Sequence, residues 1–105
     1  MTISRAFVQR AELEQAVLDA KRALGPDVVN LRYSLSEDWA GEPAIYFNVV
    51  LSEEASRPEN LLKAYNRVAE LIQQRVEPLE QWGVLPYFNV RSQAEQSALQ
   101  EEAWA

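Results

Sequence analysis

Two stretches of strict alternation, Val28–Leu35 and Ala44–Leu51, constrain this chain more than any other feature of its sequence. In the first, Val29, Leu31, Tyr33 and Leu35 share one face, while Asn30, Arg32 and Ser34 share the other. In the second, Ile45, Phe47, Val49 and Leu51 point one way and Tyr46 and Asn48 the other. A period of two belongs to a strand with one buried face. The connection between them, Ser36–Pro43, is too short for a parallel crossover, so the strands are expected to pair antiparallel.

Helical periodicity flanks this pair. Leu13, Val17, Ala20 and Leu24 recur at three- and four-residue steps, predicting a helix from about Ser4 to Leu24. Gly25-Pro26 then stops it, because glycine suits a left-handed cap and proline cannot continue the helix. A second helix is announced by Ser56-Arg57-Pro58-Glu59, read as a capping box with Ser56 at the N-cap. Its buried stripe is traced by Leu61, Tyr65, Val68, Ile72 and Val76, and Pro78 ends it by forcing Glu77 out of helical geometry. A short turn through Trp82-Gly83 leads to a third strand over Tyr87–Arg91, and Ser92 caps a frayed tail helix over 93–105.

The expected fold class is therefore α+β. A single domain over 1–105 has the order α-β-β-α-β, with two helices packed on one face of a small three-stranded sheet. The other sheet face carries Arg32, Tyr46, Asn48 and Asn89, open to solvent or to a partner, and each sheet edge can accept a strand from another chain.

Composition narrows the chemistry. With no histidine and no cysteine, the chain has neither an ordinary base poised near neutral pH nor a thiolate nucleophile. Carboxylates are plentiful, yet neither central strand holds one, and adjacent Glu37 and Asp38 point apart on extended backbone, so no metal site is expected. Gly25, Gly41 and Gly83 are isolated, which leaves no phosphate-cradling loop. No cofactor and no enzymatic activity are expected.

The net charge of -6 opposes nucleic-acid binding unless the ten cations gather on one face. Acidic pairs at Glu37-Asp38, Glu53-Glu54 and Glu101-Glu102 either solvate the surface or complement a basic partner. No stretch is long and apolar enough for a membrane span, and Met1-Thr2-Ile3-Ser4-Arg5 does not read as a signal sequence. Absence of disulfides fits the cytoplasm.

The three tryptophans, Trp39, Trp82 and Trp104, fall in a loop, a turn and a tail. Each is either a lid on a small core or an interface anchor, since tryptophan combines large apolar area with a polar N–H. The interface candidates are Glu37, Asp38, Trp39, Tyr46, Trp82, Tyr87 and Trp104. Homodimerisation through a sheet edge or the tail is an equal alternative to binding another protein.

Leu31-Arg32-Tyr33-Ser34-Leu35, Glu37-Asp38-Trp39 and Leu85-Pro86-Tyr87-Phe88-Asn89 resemble segments of a group of small bacterial proteins whose genes adjoin one for a small helical HEPN-like protein. That resemblance implies an antitoxin-like role, in which this chain binds and restrains a HEPN-like RNase. Restraining proteins of this kind often resemble minimal nucleotidyltransferases, with Gly-Ser after the first strand and Asp-x-Asp on the next. Here Tyr33-Ser34-Leu35-Ser36 lacks the glycine and Ala44-Ile45-Tyr46 stands where the aspartates should be, implying a catalytically dead relative. The α-β-β-α-β order also resembles the type II KH-like RNA-binding fold, although no GxxG loop is present. A cytoplasmic, non-enzymatic binding or regulatory module is the first reading, and a KH-like RNA-binding domain the alternative.

Overall fold

The computed structural model describes residues 3–105; Met1 and Thr2, part of the stretch read for a signal sequence, lie outside them. The elements follow the order α1 (Arg5–Val8), α2 (Arg10–Ala23), β1 (Val28–Glu37), β2 (Pro43–Leu51), α3 (Pro58–Val76), α4 (Pro78–Trp82), β3 (Leu85–Ser92) and α5 (Gln93–Leu99). A single 3-10 turn, Glu102–Trp104, closes the series. The three strands form one mixed sheet in the order β1-β2-β3. As expected, β1 and β2 pair antiparallel, whereas β2 and β3 are parallel and joined through α3 and α4.

One core holds the domain together. Leu13, Val17 and Ala20 of α2 and Ala64, Val68, Ile72 and Val76 of α3 meet Leu31, Ile45, Phe47, Val49 and Leu51 on the inner sheet face. Burying a side chain such as Ile72 or Leu13 in full contributes about 2 kcal/mol. The sum over this cluster commits the alternating faces of both central strands to one register, because a one-residue slip would turn every inward side chain to water.

Local departures from the sequence reading have local causes. The first helix breaks at Gln9, whose φ of -111° and ψ of 59° separate α1 from α2. The Ser4 hydroxyl donates to the Trp82 carbonyl and the Arg5 guanidinium lies 4.2 Å over the Trp82 ring, so α1 is tied to α4 rather than continuing straight into α2. Gly25 takes the left-handed cap that stops the helix, with φ of 77°. At the start of α3 the N-cap is Arg57, not Ser56, and Pro58 occupies the first helical position, where its missing N–H costs nothing. Ser56 instead donates to the Ser52 carbonyl at 2.7 Å. Glu77 sits in the left-handed region, φ 51°, as the following proline demands something other than helix, and the expected Trp82-Gly83 turn becomes the one-turn helix α4.

Three positions expected to face inward are less buried. A bulge between Val28 and Asn30 turns Val29 outward, so it is exposed rather than buried with Leu31. On α3, Leu61 is exposed and Tyr65 only half-buried, because the buried stripe runs through Ala64 before reaching Val68. The third strand extends beyond Tyr87–Arg91 to Leu85–Ser92. Ser92 forms a full capping box with Glu95, but the tail helix stops at Leu99 and Gln100 takes a left-handed φ of 52° before the terminal 3-10 turn.

Candidate functional site

The sheet face away from the helices is partly closed from both ends by the chain itself. Register places Ser34, Tyr46 and Tyr87 in one row and Arg32, Asn48 and Asn89 in the next. Asn89 Nδ2 donates to Asn48 Oδ1 at 3.2 Å, extending a polar row across the parallel pair. This is the face on which Arg32, Tyr46, Asn48 and Asn89 were expected.

At one end the tail folds back over β1 and β2. Asn48 Nδ2 donates to the Ala103 carbonyl at 3.1 Å, Asn30 Nδ2 to the Trp104 carbonyl at 3.1 Å and an Arg32 Nη to the Ala105 carbonyl at 2.8 Å. Arg91 stacks its guanidinium 4.2 Å above the Trp104 ring and bonds Glu101 Oε1 at 2.8 Å. Trp104 is 8 % exposed in consequence. Trp82 is likewise buried, at 5 %, under Arg5. Both tryptophans are lids, and neither offers its ring to a partner.

At the other end Asp38 organises the β1–β2 turn. Its Oδ1 accepts from the amides of Ala40 and Glu42, each at 2.9 Å, and its Oδ2 accepts from the Tyr87 hydroxyl at 2.8 Å. The Asp38 amide donates to the Glu42 carbonyl and the Gly41 amide to the Asp38 carbonyl, both at 2.9 Å. Gly41 supplies the positive φ, 81°, that this turn requires. The Glu42 amide, followed by the Tyr87 hydroxyl, holds the Asp38 carboxyl below the usual aspartate range, and the same carboxylate pushes the Tyr87 phenol up. Tyr87 in turn stacks on Tyr46, ring centres 5.1 Å apart and planes 18° from parallel.

The clasp leaves Trp39 at the tip with 93 % of its surface in solvent. Glu37, Asp38, Trp39, Tyr46 and Tyr87 are thus brought together, while Trp82 and Trp104 lie elsewhere. The aspartate–tyrosine bond joins residues 49 positions apart, and only knowledge of the sheet order could have revealed it. Glu42, which no sequence signal singled out, belongs to the same turn.

Among the described residues, no group of three or more acidic, histidine or cysteine side chains could hold a metal ion. Among the same residues, no helix is long and apolar enough to cross a membrane. Comparisons with protein-family models, with curated proteins and with solved structures find no match to this chain.

Proposed function

We propose that this chain is a non-catalytic binding module that docks a partner protein through Trp39. The supporting observation is a tryptophan 93 % exposed on a turn whose conformation Asp38 fixes through both carboxylate oxygens. A turn whose backbone is already fixed loses little main-chain freedom on docking, so burial of the indole it carries converts efficiently into affinity. Glu37, Asp38 and Glu42 surround the indole in sequence, and such a tip fits an apolar pocket with a cationic rim. Restraint of a HEPN-like partner in the cytoplasm, as the resemblance implies, is one form of this function.

One observation favours the RNA-binding alternative, namely the α-β-β-α-β order. Electrostatics weighs against it. Arg32 is engaged with Ala105, Arg67 with Leu24 and Asp27, and Arg91 with Glu101, so these guanidinium groups are spent on the chain itself. The junction between α3 and α4 is Val76-Glu77-Pro78, an acidic residue before proline rather than a glycine pair open to phosphate.

The test is an affinity capture of the tagged full chain from its own cells, with co-eluting protein and RNA both quantified. The expected result is a stoichiometric protein partner held by the unaltered chain and lost with Trp39→Ala. Recovery of RNA without protein, falling as salt rises, would overturn this reading for the KH-like one.

A further inference from the structure

The two edges of the sheet are finished differently. The β1 edge is interrupted by the bulge between Val28 and Asn30, and the groove beside it carries Arg10, Glu14, Lys21 and Arg32. A bulge and charged side chains are the devices by which sheets discourage further pairing. The β3 edge has neither device along its centre. Its only ladder-breaking residue is Pro86, near the start of the strand. Among the described residues, every main-chain bond between β3 and another strand is made to β2.

Beside this bare edge lies a groove of about 740 Å³ between β3 and the first half of α3. It is lined by Leu61, Leu62 and Tyr65 of α3 and by Phe88 and Val90 of β3. It exists because the buried stripe of α3 passes through Ala64, leaving Leu61 at 42 % and Leu62 at 71 % exposure. The charged residues on its rim are Glu53, Glu95, Arg57 and Arg91, two of each sign. Arg91 is already paired with Glu101 just outside the groove, so the rim and that partner together carry one net negative charge of the chain's -6. Two identical copies therefore meet here with far less like-charge repulsion than the rest of the surface imposes.

We propose that β3 is a dimerisation edge, on which a second copy of this chain adds its own β3 antiparallel about a two-fold axis. Closed two-fold symmetry requires antiparallel pairing of identical strands, and the result is a continuous six-stranded sheet. Pro86, Phe88 and Val90 share the inner face with the groove. A register centred on Phe88 sets that residue opposite its twin and Pro86 opposite Val90, keeping apolar side chains on one face throughout. Leu61 and Leu62 of the two copies then close over the paired strands. Trp39 is not among the residues that line this groove, and its turn meets β3 through the Tyr87 hydroxyl on the opposite sheet face.

Sedimentation velocity on the full chain, from about 1 µM to about 500 µM, tests the proposal. The expected result is a monomer–dimer equilibrium in which Leu62→Lys raises the dissociation constant about tenfold or more with an unchanged far-ultraviolet circular dichroism spectrum, while Trp39→Ala leaves it unaltered. Hydrogen exchange on the unaltered chain supplies a variant-free readout: the β3 amides that face away from β2 become slower to exchange as concentration rises through the dimer transition. A chain monomeric throughout overturns the proposal. So does a dimer indifferent to both Leu61→Lys and Leu62→Lys, or one whose β3 exchange does not change with concentration.

Discussion

Two short segments fold over the same sheet face from opposite ends, and each carries a tryptophan, yet they dispose of the indole in opposite ways. At the tail, asparagine and arginine side chains rise from the sheet to grip three consecutive carbonyls, and Arg91 covers the ring. At the β1–β2 turn, the anchoring is done by the residue before the tryptophan, and nothing covers the ring. The difference teaches that a tryptophan's role depends on whether a cation and polar receptors wait for it. Arg5 makes the same distinction at Trp82. Hydropathy alone ranks the three residues equally.

The contrast can be broken most forcefully at the indoles. Trp104→Ala is expected to lower unfolding free energy by about 3 kcal/mol, measured by urea denaturation, because a buried aromatic is lost. Trp39→Ala should stay within about 0.5 kcal/mol of the unaltered chain in the same experiment, since its ring is already in water. Equal losses at both positions would erase the distinction between lid and exposed tip.

A smaller effect is expected from the group that covers the tail. Arg91→Ala should cost about 1 kcal/mol, chiefly from the lost guanidinium–indole contact, as the ion pair to half-exposed Glu101 adds little. Trp104 fluorescence, read in a Trp39→Phe, Trp82→Phe background, should shift to the red as the ring gains water. If Arg91→Lys restores the emission completely, planar stacking is not what holds the tail.

The turn should respond more to pH than to unfolding stress. Because the Asp38 carboxyl is held below its usual range, the clasp is complete above about pH 4 and is lost as pH falls through the depressed value. The Tyr87 phenol is raised, so its contribution is complete below about pH 10 and is lost as pH climbs past the elevated value. Exchange of the Ala40 and Glu42 amides is the readout, after correction for the intrinsic pH dependence. Asp38→Ala should remove their protection at neutral pH, whereas Asp38→Asn, whose carbonyl can accept the same two bonds, should retain it and flatten the acid limb. Acid sensitivity that persists in Asp38→Asn would assign the effect to another carboxyl.

Much of the architecture was legible because it rests on periodicity. Leu31, Ile45, Phe47, Val49 and Leu51 were placed inward by alternation, and Val68, Ile72 and Val76 by helical spacing, and all are buried. What alternation cannot carry is a shift of phase, so the bulge that exposes Val29 and the substitution of Ala64 for Leu61 in the buried stripe escaped it. The Asp38–Tyr87 clasp depends on β3 lying beside β2, a pairing that leaves no mark in local pattern. The tail was half legible. Ser92 and Glu95 announce a cap, but the halt at Gln100 and the return of Trp104 are set by side chains some 55 to 74 positions away.

The parallel pairing of β2 with β3 has a kinetic consequence. β1 and β2 are joined by a short turn and can zip together early, whereas Asn48 finds Asn89 only after 40 intervening residues have been ordered. Through that interval one hydrogen-bonding edge of β2 is unpaired beside an apolar face carrying Ile45, Phe47 and Val49, open to any other chain. Recovery from denaturant should therefore fall with protein concentration even where the finished fold is robust, and the slowest refolding phase should report the arrival of β3.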